Sequence, residues 1–158
     1  MIICRFENGK ETSLRHVVVD VMLLDKEKIL MVKRAPHLSN GGKYGLIGGY
    51  VDRGETAVGA VRREVREETG YEISTIQLFR INDNPRRKNE DRQNIALVFL
   101  AKPGNKVGSS DSESTEVRWF QLDALPKDEE IAFDHKEQIE LYIKYQKQKF
   151  PLPIFRLL

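Results

Sequence analysis

The chain has a single cysteine, Cys4, among its 158 residues. That excludes an intrachain disulfide and suits a reducing compartment. Nothing beside Cys4 is built to activate a thiol, so it reads as a small strand residue. Long apolar runs are also missing: no segment approaches the ~18 apolar residues of a membrane span. Charge arrives at Arg5, Glu7 and Lys10, before any stretch of signal-peptide length can form. A soluble, cytoplasmic protein is expected. Charge of one sign is not in excess either. With 26 Lys and Arg against 24 Asp and Glu, the formal charge is +2, far from the imbalance of a dedicated nucleic-acid binder. Finally, no Ser/His/Asp or Cys/His set stands out as a covalent catalyst.

The length suffices for one hydrophobic core and is short for two, so a single domain over residues 1–158 is expected. His16 to Leu24 (HVVVDVMLL) is rich in β-branched residues and reads as a buried strand, and Ile29 to Val32 completes a hairpin across the charged turn DKEK. Pro36 to Lys43 is a polar loop. Tyr44 to Val51 reads as a short strand interrupted by Gly48-Gly49. Thr56 is placed to cap a helix over residues 57 to 69, with Gly70 as its left-handed stop. Further strands are expected near Ile76 to Ile81, Asn94 to Ala101 and Glu116 to Leu122, with a charged loop PRRKNEDR and a polar link from Pro103 to Ser114 between them. A second helix is expected from His135 to Gln146. The tail FPLPIFRLL over 150–158 carries two prolines and is not helical. Its apolar content implies docking on the domain or on a second subunit, which would make a homodimer. Irregular alternation of strands and helices points to a mixed sheet with helices on its faces.

The richest segment is Gly49 to Tyr71, GYVDRGETAVGAVRREVREETGY. At ~100° per residue, Glu64, Glu67 and Glu68 fall within a sector of roughly 100° on the expected helix. Like charges at i,i+4 repel by a few tenths of a kcal/mol, so such a face is best explained by a cation. Dense oxygen ligands suit Mg²⁺, with Mn²⁺ as the alternative. Arg63 lies one turn before Glu67, where an ion pair orienting that carboxylate is available. Taken alone, an acidic helix is usually a solvated face. Here Gly49, Glu55, Arg63, Glu64, Glu67, Glu68 and Gly70 fix seven positions, and a chance match is on the order of 10⁻⁹ to 10⁻⁸ per starting point.

That spacing resembles the signature of the Nudix hydrolase family. The resemblance implies an α/β/α sandwich with a mixed β-sheet and helices on both faces, and metal-dependent hydrolysis of a nucleoside diphosphate linked to another group. It implies Glu67 and Glu68 as metal ligands, Glu64 as a further ligand or a base acting through water, and the Gly48 carbonyl as another ligand. Glu55 is read as buttressing the loop. The family often takes a further carboxylate from the loop before the last strand, where Glu113 is the first choice and Glu116 the alternative. Two positions depart from the pattern: Ile47 replaces a common proline, and Gly59 forfeits a capping box.

Four further patches, VVVDVMLL, DNPRR, EVRWFQLDALP and AFDHKEQI, resemble the ADP-ribose pyrophosphatase branch. Pro85, about fifteen residues beyond Gly70, fits a spacing associated with that branch. The resemblance implies a small nucleotide, ADP-ribose, cleaved to AMP and ribose 5-phosphate. Arg34, Arg53, Arg86 and Arg87 are candidates for its phosphates, since guanidinium forks match phosphate oxygens. Tyr44 would stack on the base or fill the core, and His135 reads as a helix-start residue. The rival readings are a hydrolase of noncanonical nucleoside triphosphates, an RNA 5′-end hydrolase and a noncatalytic ADP-ribose sensor.

Overall fold

The computed structural model describes residues 2–88, 90, 92–110 and 112–155. After a separate two-stranded hairpin, β1 (Ile2–Arg5) with β2 (Glu11–Leu14), comes the central strand β3 (Val17–Asp25). Every residue of β3 from Val18 to Leu24 is buried. A strand covered on both faces needs a layer on each side. β4 (Lys28–Arg34) turns back antiparallel with Leu23 opposite Leu30. It then carries β5 (Tyr44–Gly45) and, also antiparallel, β9 (Ser114–Gln121). β6 (Ile47–Tyr50) pairs antiparallel with the earlier part of β3, with Asp20 opposite Gly48 and Val19 opposite Gly49. β8 (Ile95–Lys106) runs parallel to β3, and β7 (Tyr71–Asn82) runs antiparallel to β8. One parallel ladder among antiparallel ones makes the sheet mixed, as expected.

Alternation along β3 divides the core. Val19, Val21 and Leu23 pack with Ala60, Val61 and Val65 of helix α1 (Ala57–Thr69). Met22 and Leu24 pack with Ile139 and Tyr142 of helix α2 (His135–Lys147). The result is the α/β/α sandwich with a helix on each face of the sheet. Asp20 shares its parity with Met22 and therefore belongs to the α2 side. That placement matters for the site.

The bounds of α1 agree with the sequence because both caps operate. Thr56 accepts the Gly59 N–H at 3.0 Å. Gly70 has φ 73° and donates its N–H to the Arg66 carbonyl. A Cβ on Gly70 would also stand 2.1 Å from the Gly108 carbonyl oxygen, so a larger residue is excluded on two counts.

Two strand bounds need correction. β7 starts at Tyr71 rather than Ile76, and β8 continues to Lys106, so residues 103–106 belong to a ladder rather than a link. Their polarity misleads because this end of the ladder is largely exposed and broken by bulges. The hairpin of β1 and β2 was not expected, since ETSL carries little strand signal. The tail docks on its own domain: Ile154 donates to the Phe79 carbonyl and accepts from the Ile81 N–H, both at 2.8 Å, while Leu152 and Ile154 pack against the α2-side core. Residues 156–158 of that tail lie outside the described residues.

Candidate active site

The turn between β6 and α1 brings the glycine pair against the acidic helix face. Glu64 is 9 % exposed, and its Oε1 lies 2.2 Å from where a Cβ on Gly49 would stand. Only glycine leaves that room. Glu68 is buried one turn further on, and its Oε2 accepts the Gly48 N–H at 3.3 Å. Glu67 is half exposed. Arg63 ties the face together: it grips Glu55 through Nε and Nη2 at 3.0 Å each, reaches Glu64 at 2.7 Å and Glu67 at 3.2 Å, and donates to the Tyr50 carbonyl. The Arg63–Glu67 pair is the one the spacing predicts, while the two-pronged grip on Glu55 was not foreseen. Glu55 also accepts the Asp52 N–H, so it buttresses the loop.

These groups open onto a cavity of about 400 Å³. Glu64 and Glu67 line it from α1, Glu113 from the loop before β9, and Arg34 from the end of β4. Burial pushes the Glu64 carboxyl above its ordinary range; Arg63 opposes that, and the charges of Glu67 and Glu113 add to it. Among the described residues no three carboxylate, imidazole or thiol groups are gathered closely enough to grip an ion as they stand. Arg63 occupies the space between Glu55, Glu64 and Glu67 instead.

On the α2 side the cavity is walled by a buried polar network. Arg87 is held by Asp134 through Nε at 3.1 Å and Nη2 at 2.7 Å, and its Nη2 also reaches Asp20 at 3.3 Å. Asp134 accepts further bonds from Asn82 and Gln138, and Gln138 accepts from Arg80. Burial raises the Asp134 carboxyl, but the Arg87 guanidinium, with a hydrogen bond from Asn82, outweighs it and holds the group below its usual value. His135 is buried and accepts the Leu46 N–H on Nδ1 at 2.9 Å. Burial lowers its imidazole, outweighing Asp20 and Asp134.

The remaining sequence candidates divide. Arg34 lines the cavity, donates through Nε to the Ser39 carbonyl at 2.7 Å, and lies 5.2 Å above the Phe133 ring. Arg87 lines it too, but its guanidinium is committed to two aspartates. Arg53 and Arg86 are exposed and do not line the cavity. Tyr44 is a core residue: it is 8 % exposed, packs edge-on to Phe120 and donates to Glu116 at 2.9 Å. Glu116 is turned to Tyr44, whereas Glu113 faces the cavity. Pro85 sits in an exposed turn whose next residue, Arg86, donates its N–H to Asn84 Oδ1; the turn leads the chain to Arg87.

The NUDIX domain model matches residues 14–142. The chain belongs to the Nudix hydrolase family. Its reaction class is that of a Nudix pyrophosphohydrolase, a family that acts on small nucleotides and generally uses a divalent metal. An ADP-ribose pyrophosphatase of Methanocaldococcus jannaschii is 34 % identical over 131 residues, covering 82 % of this chain and 74 % of that protein. An 8-oxo-dGDP phosphatase of Mus musculus is 31 % identical over 137 residues, 84 % of this chain but only 40 % of its own length. Among solved structures, a NUDIX hydrolase from Nitrosomonas europaea superposes with TM-score 0.78 at 23 % identity, covering 98 % of this chain and 91 % of that one, which speaks to the fold. No helix among the described residues is long and apolar enough to cross a membrane.

Several cavity residues of this Nudix hydrolase were not singled out from sequence: Asp20, Tyr50, Asn94 and Phe133 all line it, and Asp134 stands behind them. Asp20 had one available signal, a lone carboxylate inside an otherwise apolar strand. Phe133 had none, because its left-handed backbone (φ 52°) is not written in its residue type.

Proposed function

We propose that this enzyme hydrolyses the pyrophosphate bond of ADP-ribose, giving AMP and ribose 5-phosphate, as a cytoplasmic single-domain hydrolase. The observation that carries the substrate is the similarity to an ADP-ribose pyrophosphatase over 131 residues, a stretch that extends far beyond the Gly49–Tyr71 box. The reaction class rests on the family.

The donor set fits a hard divalent cation. Glu64, Glu67, Glu68 and Glu113, with the carbonyl of Gly48, offer oxygen only, and the raised Glu64 carboxyl gains from a positive neighbour. These residues would hold Mg²⁺, or Mn²⁺ in its place. Such an ion, when bound, supplies positive charge to the phosphoryl oxygens and acidifies water. The chain's own residues supply the rest. Arg63 fixes the orientation of Glu64 and Glu67 from a side chain that Glu55 anchors. Glu113 faces the cavity from the opposite loop and is our first choice for accepting the proton of the attacking water. Arg34 meets the phosphates: its Nε is spent on Ser39, and its two Nη groups have no hydrogen-bond partner among the described residues.

A second reading, hydrolysis of an oxidised nucleoside polyphosphate, is favoured by the similarity to the mouse 8-oxo-dGDP phosphatase. A panel of ADP-ribose, NADH, dinucleoside polyphosphates, nucleoside triphosphates and 8-oxo-dGDP, assayed with Mg²⁺ for kcat/KM and products, separates the two. ADP-ribose should lead, yielding AMP. Faster turnover of 8-oxo-dGDP or any triphosphate replaces the reading.

A further inference from the structure

The carboxylates of α1 and the polar wall of the cavity lie on opposite faces of β3 and β6. Gly49, paired with Val19, faces Glu64 on the α1 side. Asp20 faces the α2 side and meets His135 at the first turn of that helix. These two residues belong to the other face of the sheet from the α1 carboxylates, yet they line the same cavity.

We propose that Asp20 and His135 read the nucleobase of the substrate, Asp20 Oδ1 accepting from the exocyclic amine of adenine and His135 Nε2–H donating to the neighbouring ring nitrogen. This rests on the reading of the substrate as an adenine nucleotide. Four observations carry it.

The imidazole tautomer is fixed. Because the Leu46 N–H donates to Nδ1 at 2.9 Å, the single proton of the neutral ring sits on Nε2. Burial keeps the ring neutral, so Nε2 is a donor and nothing else.

Neither atom satisfies the other. Nε2 and Asp20 Oδ1 are 3.7 Å apart, beyond hydrogen-bond length. Asp20 Oδ2 is taken by Arg87, and Oδ1 has no hydrogen-bond donor among the described residues. Both residues line the cavity, and neither atom is among the sealed polar atoms that lack a partner, so a ligand that enters the cavity must complete them or leave them unpaired. A planar edge carrying an acceptor next to a donor completes them, and the amidine edge of adenine is such an edge.

The pair is rigid. Asp20 is held by Arg87, and Arg87 by both oxygens of Asp134, which Asn82 and Gln138 hold in turn. Recognition that depends on two atoms at fixed spacing needs this kind of support.

An aromatic side chain borders the pair in the cavity lining. The Phe133 ring is 5.2 Å from the His135 ring, tilted by 56°, with the Arg34 guanidinium over it. Phe133 adopts φ 52°, a costly conformation for a bulky residue and one that is kept mainly where a site requires it.

The test is calorimetric binding of three 5′-monophosphates to the metal-free enzyme: AMP, purine riboside monophosphate, which lacks the amine, and IMP, which presents a lactam. The wild type should bind AMP at least about tenfold more tightly than purine riboside monophosphate, the loss of one hydrogen bond that leaves a buried acceptor unpaired. Asp20→Asn, checked for an unchanged circular dichroism spectrum, should bring the two within about threefold, because an amide nitrogen placed at Oδ1 meets the amine donor to donor. Equal wild-type binding of AMP and purine riboside monophosphate, tighter binding of IMP, or an unchanged ratio in Asp20→Asn overturns the assignment. The wild-type comparison decides even if the variant does not fold. If ADP-ribose fails in the substrate panel while AMP still binds in an Asp20-dependent way, the substrate reading falls and the base-reading pair stands.

Discussion

Gly49 and Glu64 share one space: the carboxylate of Glu64 lies 2.2 Å from the point where a side chain on residue 49 would begin. The glycine is therefore less a hinge than a slot for a carboxylate. The obstructing atom is the end of a flexible side chain, so Gly49→Ala should be absorbed by swinging Glu64 aside. Stability is expected to change by about 1 kcal/mol or less, whereas kcat should fall about tenfold to a hundredfold, since misplacing a functional group by an ångström costs that much. Urea unfolding and steady-state kinetics on the same preparation check both halves. A variant with normal kcat would mean that the Glu64 position is unimportant.

Glu67 offers the complementary case. It is half exposed and, among the described residues, its hydrogen-bond partner is Arg63 alone, so Glu67→Gln should fold normally. The proposed role in holding a divalent cation predicts a fall in kcat of at least about 100-fold, the size expected when transition-state charge stabilisation is removed. Circular dichroism together with a Mg²⁺ titration of activity measures this. Near-normal turnover removes Glu67 from the proposed metal site.

What the sequence makes legible follows from how local each feature is. The bounds of α1 depend on Thr56 and Gly70, whose preferences act within one turn, and they are read correctly. The carboxylate face depends on 3.6-residue periodicity, and two of its members, Glu64 and Glu67, do line one cavity. The wall of Asp20, Arg87 and Asp134 brings together residues separated by 67 and 47 positions, and no local rule connects them. Arg87 illustrates the limit: its residue type suggests a phosphate contact, while burial commits it to two aspartates. Tyr44 does likewise, an aromatic near the box that the β4–β9 pairing turns inward to Glu116. The long ladder of β7 and β8 stays hidden because an exposed, bulged strand end has a loop's composition.

Arg87 should be a stability residue first. It is 7 % exposed, and truncating it leaves Asp134 buried with its countercharge gone. Arg87→Met is expected to lose about 3–5 kcal/mol, the usual cost of breaking a buried pair from one side. The double variant Arg87→Met, Asp134→Asn should recover part of that. Because Asp134 is held below its ordinary value, its contribution is present at neutral pH and is lost as pH falls from about 4 toward the folded-state value. Denaturant curves at pH 7 and pH 3.5 for the wild type and Asp134→Asn check the sign: the difference between them should shrink in acid. A single variant as stable as the wild type would show that the pair contributes nothing.

His135 gives the pH dependence nearer neutrality. Burial depresses its folded-state value below the ordinary imidazole range despite Asp20 and Asp134. The unfolded chain therefore takes up a proton near pH 6.5 that the folded chain refuses. Folding stability is thus full above about pH 6.5 and is lost as pH falls below it, by up to about 1.4 kcal/mol per pH unit. His135→Gln keeps an acceptor for the Leu46 N–H and removes the titration, so its stability should be flatter between pH 7.5 and 5.5 than that of the wild type. Every other titrating group is common to the two proteins and cancels in the difference. Parallel pH profiles for the two would mean that His135 does accept a proton in the folded state, and with it a second donor that the Leu46 N–H leaves no room for.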